Sequence, residues 1–355
     1  MLYALCTMRK MNKKTQEDLY QRLIAKTLKD KIPLSVVWEL TDKCNLRCRH
    51  CYVVREDKKQ ELSKVEIESI LEQLAKAGCL YLIFTGGEIF TRDDFFDIAL
   101  SARSKGFGLR LLTNGTLINS KIADGIKELE PISVEISLYG MSPSVHEAIT
   151  RVPGSYNKTI TSLRLLKQRG LHIVIKSFLM QENIWEFDRL KAFSQELGAG
   201  FVFDFTVVAK ANGDKGPFQY MASDDDLSKF FSTKLKLSEG RASQIPADSP
   251  ICNAGLNTVF ISSVGEAYPC IAIREMCGDL RKENFAQIWG KSEVLSYIRS
   301  IRFSDLKQCP DCSLIPYCNR CPGQASLEDR DILGPSKVAC GMAEIHESVL
   351  KAHSA

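Results

Sequence analysis

Cys44, Cys48 and Cys51 stand at CxxxCxxC spacing within the run Thr41-Asp42-Lys43-Cys44-Asn45-Leu46-Arg47-Cys48-Arg49-His50-Cys51-Tyr52. Three thiolates so spaced reach three corners of an iron–sulfur cubane only if the backbone between them is a tight loop, neither helix nor strand. A centre that only relays electrons is normally held by four thiolates. A set of three leaves one iron open for a small molecule, which is a catalytic pattern. Zinc asks for four closed donors, or three and a water, commonly as CxxC pairs with distant partners. The 44–51 run is not arranged that way.

Other groups could work beside it. In Thr85-Gly86-Gly87-Glu88 the paired glycines permit a turn and a close approach that side chains would block, and Glu88 can accept a hydrogen bond from an ammonium group. Asn114 follows Thr113 and precedes Gly115, while Glu135 and Ser137 are two residues apart and so share one face of a strand. Polar groups on apolar strands need partners if buried. Asn114 reads as a ligand contact or a turn residue, Glu135 as an internal ion pair, and Lys176 as facing a ligand or as paired or solvated. A second set of cysteines comprises Cys252, Cys270, Cys309, Cys312, Cys318, Cys321 and Cys340. Its CxxC pairs suit a zinc site or iron–sulfur binding, but seven thiols exceed one tetrahedral site and the pairs stand closer than in a zinc ribbon.

These residues need a scaffold, and the chain can supply one. Its 355 residues, 45% hydrophobic, can bury a large core. A net charge of +4 from 47 basic and 43 acidic side chains is too balanced for a nucleic-acid surface. Arg9, Lys10, Lys13 and Lys14 make a basic, solvated first segment. No apolar run is long enough for a membrane span, and 2–6 is too short for a signal-peptide core, so a cytoplasmic protein is expected. Thirteen cysteines then speak for metal or redox chemistry instead of disulfides. Cys6, Cys79 and Cys277 fall outside both sets and read as ordinary thiols.

The hydrophobic pattern predicts a helix over 16–28 and a buried strand over 34–40 that delivers the cysteine loop at its C-terminal end. Ser63 and Glu66 form a capping-box signature. Strands follow at 80–85, 109–113, 132–138, 172–179 and 201–208, with helices at 93–105, 120–129, 157–169 and 185–197 between them. This alternation predicts an α/β fold with a parallel sheet and crossover helices. Six strands make a partial (β/α)6 TIM-like barrel, and no GxGxxG follows the first strand as a Rossmann sheet would require. In barrels, chemistry gathers at the C-terminal strand ends. The stretch around 139–154 reads as turns. The expected organisation is an N-terminal arm (1–33), the barrel (34–208), a connecting helix and linker (209–250) and a cysteine-rich domain (251–355) that opens with a hairpin-like stretch.

CNLRCRHCY after an apolar strand resembles the signature of the radical S-adenosylmethionine (SAM) superfamily. The later cysteines, with the GxxxxC element from Gly265 to Cys270, resemble the SPASM extension, and the two likenesses together span residues 34–340. The resemblance implies that Cys44, Cys48 and Cys51 hold a [4Fe–4S] cluster whose open iron chelates SAM. Reductive cleavage of SAM then yields methionine and a 5′-deoxyadenosyl radical. It further implies that Thr85, Gly86, Gly87 and Glu88 bind the SAM amino group, that Asn114 and Ser137 contact its ribose or carboxylate, and that Lys176 faces SAM or substrate. Two auxiliary iron–sulfur clusters are implied, the outer on Cys309, Cys312, Cys318 and Cys340, the inner on Cys252, Cys270 and Cys321. This chain departs from the pattern with CxxC at 318–321 and with no cysteine soon after Cys252, so the inner cluster has an open iron unless Cys277 completes it.

The implied function is modification of a ribosomally made precursor peptide by a thioether or carbon–carbon cross-link, a reading that SLYG and VPGSYNKTI also support. The alternatives are a SPASM oxidase or decarboxylase acting on a tetrapyrrole or other small molecule, and a non-catalytic iron–sulfur carrier or zinc-stabilised binding module. Expected partners are the precursor peptide and a one-electron reductant such as flavodoxin or ferredoxin, with neither nucleic acid nor membrane. The short segment before residue 34 leaves leader recognition to the barrel surface or to a separate leader-peptide-binding protein.

Overall fold

Strand β1 (Ser35–Thr41) shows how the scaffold is built. Val36, Trp38 and Leu40 are almost completely buried against helices, and by alternation Val37, Glu39 and Thr41 lie on the opposite, inner face. In this computed structural model residues 13–54, 60–234 and 245–354 are described; Cys6, Arg9 and Lys10 lie outside them. Helix α1 (Lys13–Asp30) precedes β1.

Five crossover units follow. They are α2 (Lys64–Lys76) with β2 (Tyr81–Gly86), α3 (Phe95–Ser104) with β3 (Gly108–Thr113), and α4 (Ser120–Leu129) with β4 (Ser133–Ser137). Next come α5 (Pro143–Thr150) and α6 (Ser155–Gln168) with β5 (Ile173–Phe178), then α7 (Phe187–Leu197) with β6 (Gly200–Asp204). Strands β1 to β6 pair in parallel in sequence order, as the alternating pattern predicts. Ile67, Ile70, Leu71 and Leu74 of α2 pack with Phe95 and Ile98 of α3 over Trp38 and Phe84. Each such side chain contributes roughly 1.5–3 kcal/mol on burial. The predicted capping box is present on α2, and Glu66 also accepts from Arg281 Nε at 2.7 Å.

Three features differ from the sequence expectation. The supposed turns before α6 contain helix α5, opened by Ser142 as N-cap and Pro143 in its first turn. Strand β6 ends at Asp204, short of 208. The cysteine-rich region also shares the sheet of the barrel. After α8 (Asp224–Lys234), strand β7 (Thr258–Ile261) pairs in parallel with β1, Trp38 standing opposite Ile261, and β8 (Glu266–Tyr268) and β9 (Gly278–Asp279) continue the sheet antiparallel. Strand order is β6-β5-β4-β3-β2-β1-β7-β8-β9, so no break in the sheet separates barrel from extension.

Helices α9 (Phe285–Lys291), α10 (Glu293–Ser300), α11 (Pro322–Asp329) and α12 (Lys337–Ser354) complete the chain. Trp289 Nε1 donates to the carbonyl of Lys31 at 2.7 Å, fastening α1 to the extension. Among the described residues no helix is long and apolar enough to cross a membrane.

Candidate metal centre

The loop bearing Cys44, Cys48 and Cys51 leaves the C-terminal end of β1 and is pinned at both ends. At its start, Thr41 Oγ1 and the Asp42 amide both donate to Glu61 Oε1, at 2.7 and 2.9 Å. Farther on, the amides of Arg47 and Arg49 donate to the carbonyls of Thr150 and Ile149 at 3.0 and 3.1 Å. Those carbonyls end α5 and have no partner inside their own helix, so the helix absent from the sequence reading is what steadies the loop. All three thiols are half-buried. Cys44 Sγ accepts from the Leu46 amide at 3.4 Å and from Asn114 Nδ2 at 3.8 Å. The three thiols act together on the Tyr139 hydroxyl, whose pKa is raised first by burial and then by the charges of Cys48, Cys51 and Cys44. Three sulfur donors in one pinned loop, with N–H groups aimed at one of them, suit a cluster that needs three thiolates.

Gly86 and Gly87 are required by contact with this loop. A Cβ on Gly86 would lie 2.2 Å from the Thr41 carbonyl oxygen, and one on Gly87 2.1 Å from that of Lys43. The amides of Gly87 and Glu88 donate to the same two carbonyls at 2.7 and 2.8 Å. The close approach is therefore to backbone. Glu88 follows the glycine pair. Its carboxylate is fully buried and accepts from Thr113 Oγ1 (2.7 and 2.9 Å), the Asn114 amide (2.8 Å) and the Phe90 amide (3.2 Å). These bonds tie the β2 loop to the β3 loop. Asn114 likewise serves the loop, donating to Asn45 Oδ1 at 3.0 Å and accepting from Thr116 Oγ1 at 2.6 Å.

The inner face carries charge. Glu135, 2% exposed, accepts from Arg110 Nε at 2.6 Å and pairs with Lys176 Nζ at 3.1 Å. Burial pushes its carboxyl up, but Lys176 and Arg110 outweigh that and hold it below its ordinary value. Lys176, read as facing a ligand or as paired or solvated, has its ammonium on Glu135. Ser137 stands opposite Lys176 in the sheet, and Thr85 stands opposite Glu39. Sequence reading passed over Glu39, which is 5% exposed, accepts from Tyr52 Oη at 2.7 Å and is raised by burial to about 7. A carboxylate inside an otherwise apolar strand run was its available signal.

Beside the loop a cleft of about 310 Å³ is lined by Arg47, Cys48, Arg49, Cys51, Arg151 and Lys210, among others. Arg49 pairs with Glu182 at 3.1 Å and Lys210 with Asp214 at 2.5 Å.

The remaining thiols fall into two groups. Burial and then the like charges of Cys318, Cys309 and Cys312 raise the Cys340 thiol, while burial and then Cys309 and Cys312 raise Cys318. Cys340 reaches this group from the first turn of α12. Cys252 is raised to about 11 by burial and then by Cys270 and Cys321. Cys277 is 9% exposed in the main core, its pKa pushed to about 12 by burial with Cys270 adding to the rise, and its thiol faces the Glu275 carbonyl at 3.8 Å. Arg320 stands between the groups, its charge acting on Cys309, Cys318 and Cys252.

Residues 38–193 match the model of the radical SAM superfamily, and residues 252–322 match that of the SPASM iron–sulfur cluster-binding domain. The chain is similar to an AdoMet-dependent heme synthase of Methanosarcina barkeri, 26% identical over 331 residues, covering 85% of this chain and 94% of that protein. It is also similar to the antilisterial bacteriocin subtilosin biosynthesis protein AlbA of Bacillus subtilis, 26% identical over 304 residues, covering 82% and 67%. In fold it resembles Streptococcus suis SuiB bound to precursor peptide SuiA, with a TM-score of 0.70, 17% identity, and coverage of 93% of this chain and 81% of that one.

Proposed function

For a chain that belongs to the radical SAM superfamily and carries a SPASM-type iron–sulfur domain, we propose that the substrate is a ribosomally made precursor peptide, oxidised to form a thioether or carbon–carbon cross-link. The observation that carries this reading is the edge of the sheet. Among the described residues strand β6 pairs only with β5, and Val202 and Phe178 beside that edge are 50% and 36% exposed. An extended peptide can add to such an edge through main-chain hydrogen bonds, with side-chain pockets supplying specificity.

The enzyme's cofactors are a [4Fe–4S] cluster and SAM, which when bound supply the 5′-deoxyadenosyl radical. The protein's task is placement. In this reading Cys44, Cys48 and Cys51 hold the cluster, and the N–H groups of Leu46 and Asn114 stabilise its sulfur charge. Glu88 fixes the β2 and β3 loops, so that the backbone of Thr85, Gly86 and Gly87, with Asn114 and Ser137, lines the SAM site. Lys176 holds Glu135 in place. Cys309, Cys312, Cys318 and Cys340 would hold an outer auxiliary cluster, and Cys252, Cys270 and Cys321 an inner one. A one-electron donor such as flavodoxin or ferredoxin would approach the basic cleft beside Cys48 and Cys51. The working division is a barrel over 34–208 and an auxiliary domain over 251–355, joined by 209–250; a leader segment would be taken by the barrel surface or by a separate protein.

A second reading, oxidation or decarboxylation of a tetrapyrrole, is favoured by the inner face. There Glu135 alone meets two cations, Arg110 and Lys176, whose side chains are 43% and 41% exposed, and the surplus positive charge of that cluster suits propionates. Anaerobic reconstitution with dithionite and SAM separates the two readings. Three clusters would give about twelve irons per chain, with roughly four lost in Cys44→Ala/Cys48→Ala/Cys51→Ala. Formation of 5′-deoxyadenosine stimulated by a precursor peptide supports the first reading; stimulation by porphyrin alone supports the second.

A further inference from the structure

The partly buried arginines of this protein spend their donors on fixed acceptors. Arg92 bonds Asp94 and the Leu40 carbonyl, Arg110 bonds Glu135, Arg299 bonds the Gly255 and Trp289 carbonyls, and Arg320 bonds the Gly334 carbonyl. Arg274 differs. Its guanidinium lies 4.9 Å from the ring centre of Phe260 and 5.8 Å from those of both Tyr52 and Tyr268. Among the described residues it has no hydrogen-bond acceptor and no ion pair within contact distance. The nearby acids take their hydrogen bonds elsewhere, Glu39 from Tyr52 Oη and Glu266 from Tyr268 Oη, each at 2.7 Å, and Asp42 from Ser263, while the charge of Arg274 reaches Glu39 and Asp42 from beyond contact distance.

The location gives this side chain its meaning. Tyr52 follows Cys51 in the first cysteine loop, Phe260 stands opposite Val37 of β1, and the charge of Arg274 reaches Cys270. Arg274 therefore lies between the first cysteine loop and the second thiol group. Aromatic rings hold a guanidinium by its face. Its edge is then left with a fork of N–H donors matched to a carboxylate.

We propose that Arg274 binds a carboxylate group of the substrate, positioning it between the two metal-binding regions. This rests on the functional reading above and names the chemistry that the substrate must carry. Such a carboxylate can come from an acidic side chain of a peptide or from a tetrapyrrole propionate, and the test separates the two.

The test is equilibrium binding to the reconstituted full-length protein, as wild type, Arg274→Gln and Arg274→Lys. One arm uses coproporphyrin III and its tetramethyl ester. The other uses a peptide containing Asp and Glu and its Asn/Gln counterpart. In one arm the wild type should prefer the acid by about 10- to 100-fold, the range of a charge-assisted pair. Arg274→Gln should abolish that preference while keeping the iron and sulfide content of the wild type, and Arg274→Lys should restore it only in part. The proposal is overturned if the wild type prefers the acid in neither arm, if Arg274→Gln retains the preference, or if the substitution weakens SAM binding instead. Failure of the wild type to load iron or cleave SAM would instead remove the functional reading, independently of these binding ratios.

Discussion

Glu39 makes stability depend on pH in a direction that can be stated. Burial raises its pKa from an ordinary 4.5 to about 7. Between those values the folded protein keeps a proton that the unfolded chain has released, so stability falls as pH rises through this window and levels off above it. Glu39→Gln, which still accepts from Tyr52, should match the wild type near pH 4 and exceed it above pH 7 by up to about 3 kcal/mol. Melting temperatures of both proteins across pH 4–8 would check this; a constant difference would refute it. Glu88→Ala leaves the Thr113 hydroxyl and the Asn114 and Phe90 amides without their acceptor. A loss of about 3 kcal/mol or more is expected, against about 1 kcal/mol for Glu88→Gln, read from urea unfolding midpoints. Spacing alone singles out Cys44, Cys48 and Cys51 as candidate ligands. The hydrogen bonds of Glu88 to the β3 loop carry no such local signal, because Thr113 lies 25 residues away.

Among the elements, the cysteine loop and the glycine pair form one unit. Gly87→Ala drives a methyl against the Lys43 carbonyl, 2.1 Å from the ideal Cβ position, and overpacking of this kind costs about 1–3 kcal/mol or more. Iron content after reconstitution should fall with stability. Gly290→Ala is the contrasting case: it lies within α9 with nothing within 4 Å of an added Cβ, and should raise stability by about 0.5–1 kcal/mol. A melting temperature unchanged in the first or lowered in the second would contradict this account. Strands β1 to β5 were readable because β-branched and apolar runs alternate with helices of regular period. Helix α5 was passed over although Ser142 and Pro143 carry the usual start signals, since eight residues offer little periodicity. The pairing of β7 with β1 joins Ser35 to Thr258, and pairing at that separation leaves no trace in local pattern.

For the molecule as a whole, the auxiliary region is part of the sheet that positions the first cysteine loop. A chain ending at residue 250 would leave the β7-facing edge of β1 unpaired and uncover Val36 and Trp38 at one side. Open apolar strand edges recruit other chains, so this truncation should aggregate instead of yielding a soluble barrel, as size-exclusion chromatography would show. A monomeric, cooperatively melting fragment would disprove it. The same bond between first strand and late strand has a consequence for the protein's birth. Ser35 and Thr258 are 223 residues apart, and at a synthesis rate of about 5–20 residues per second the ribosome takes roughly 10–45 seconds to cover that interval. Throughout that interval β1 waits half-paired and the cysteine loop that follows it lacks its final support, so metal delivery to this protein should belong to the period after its last hundred or so residues have emerged.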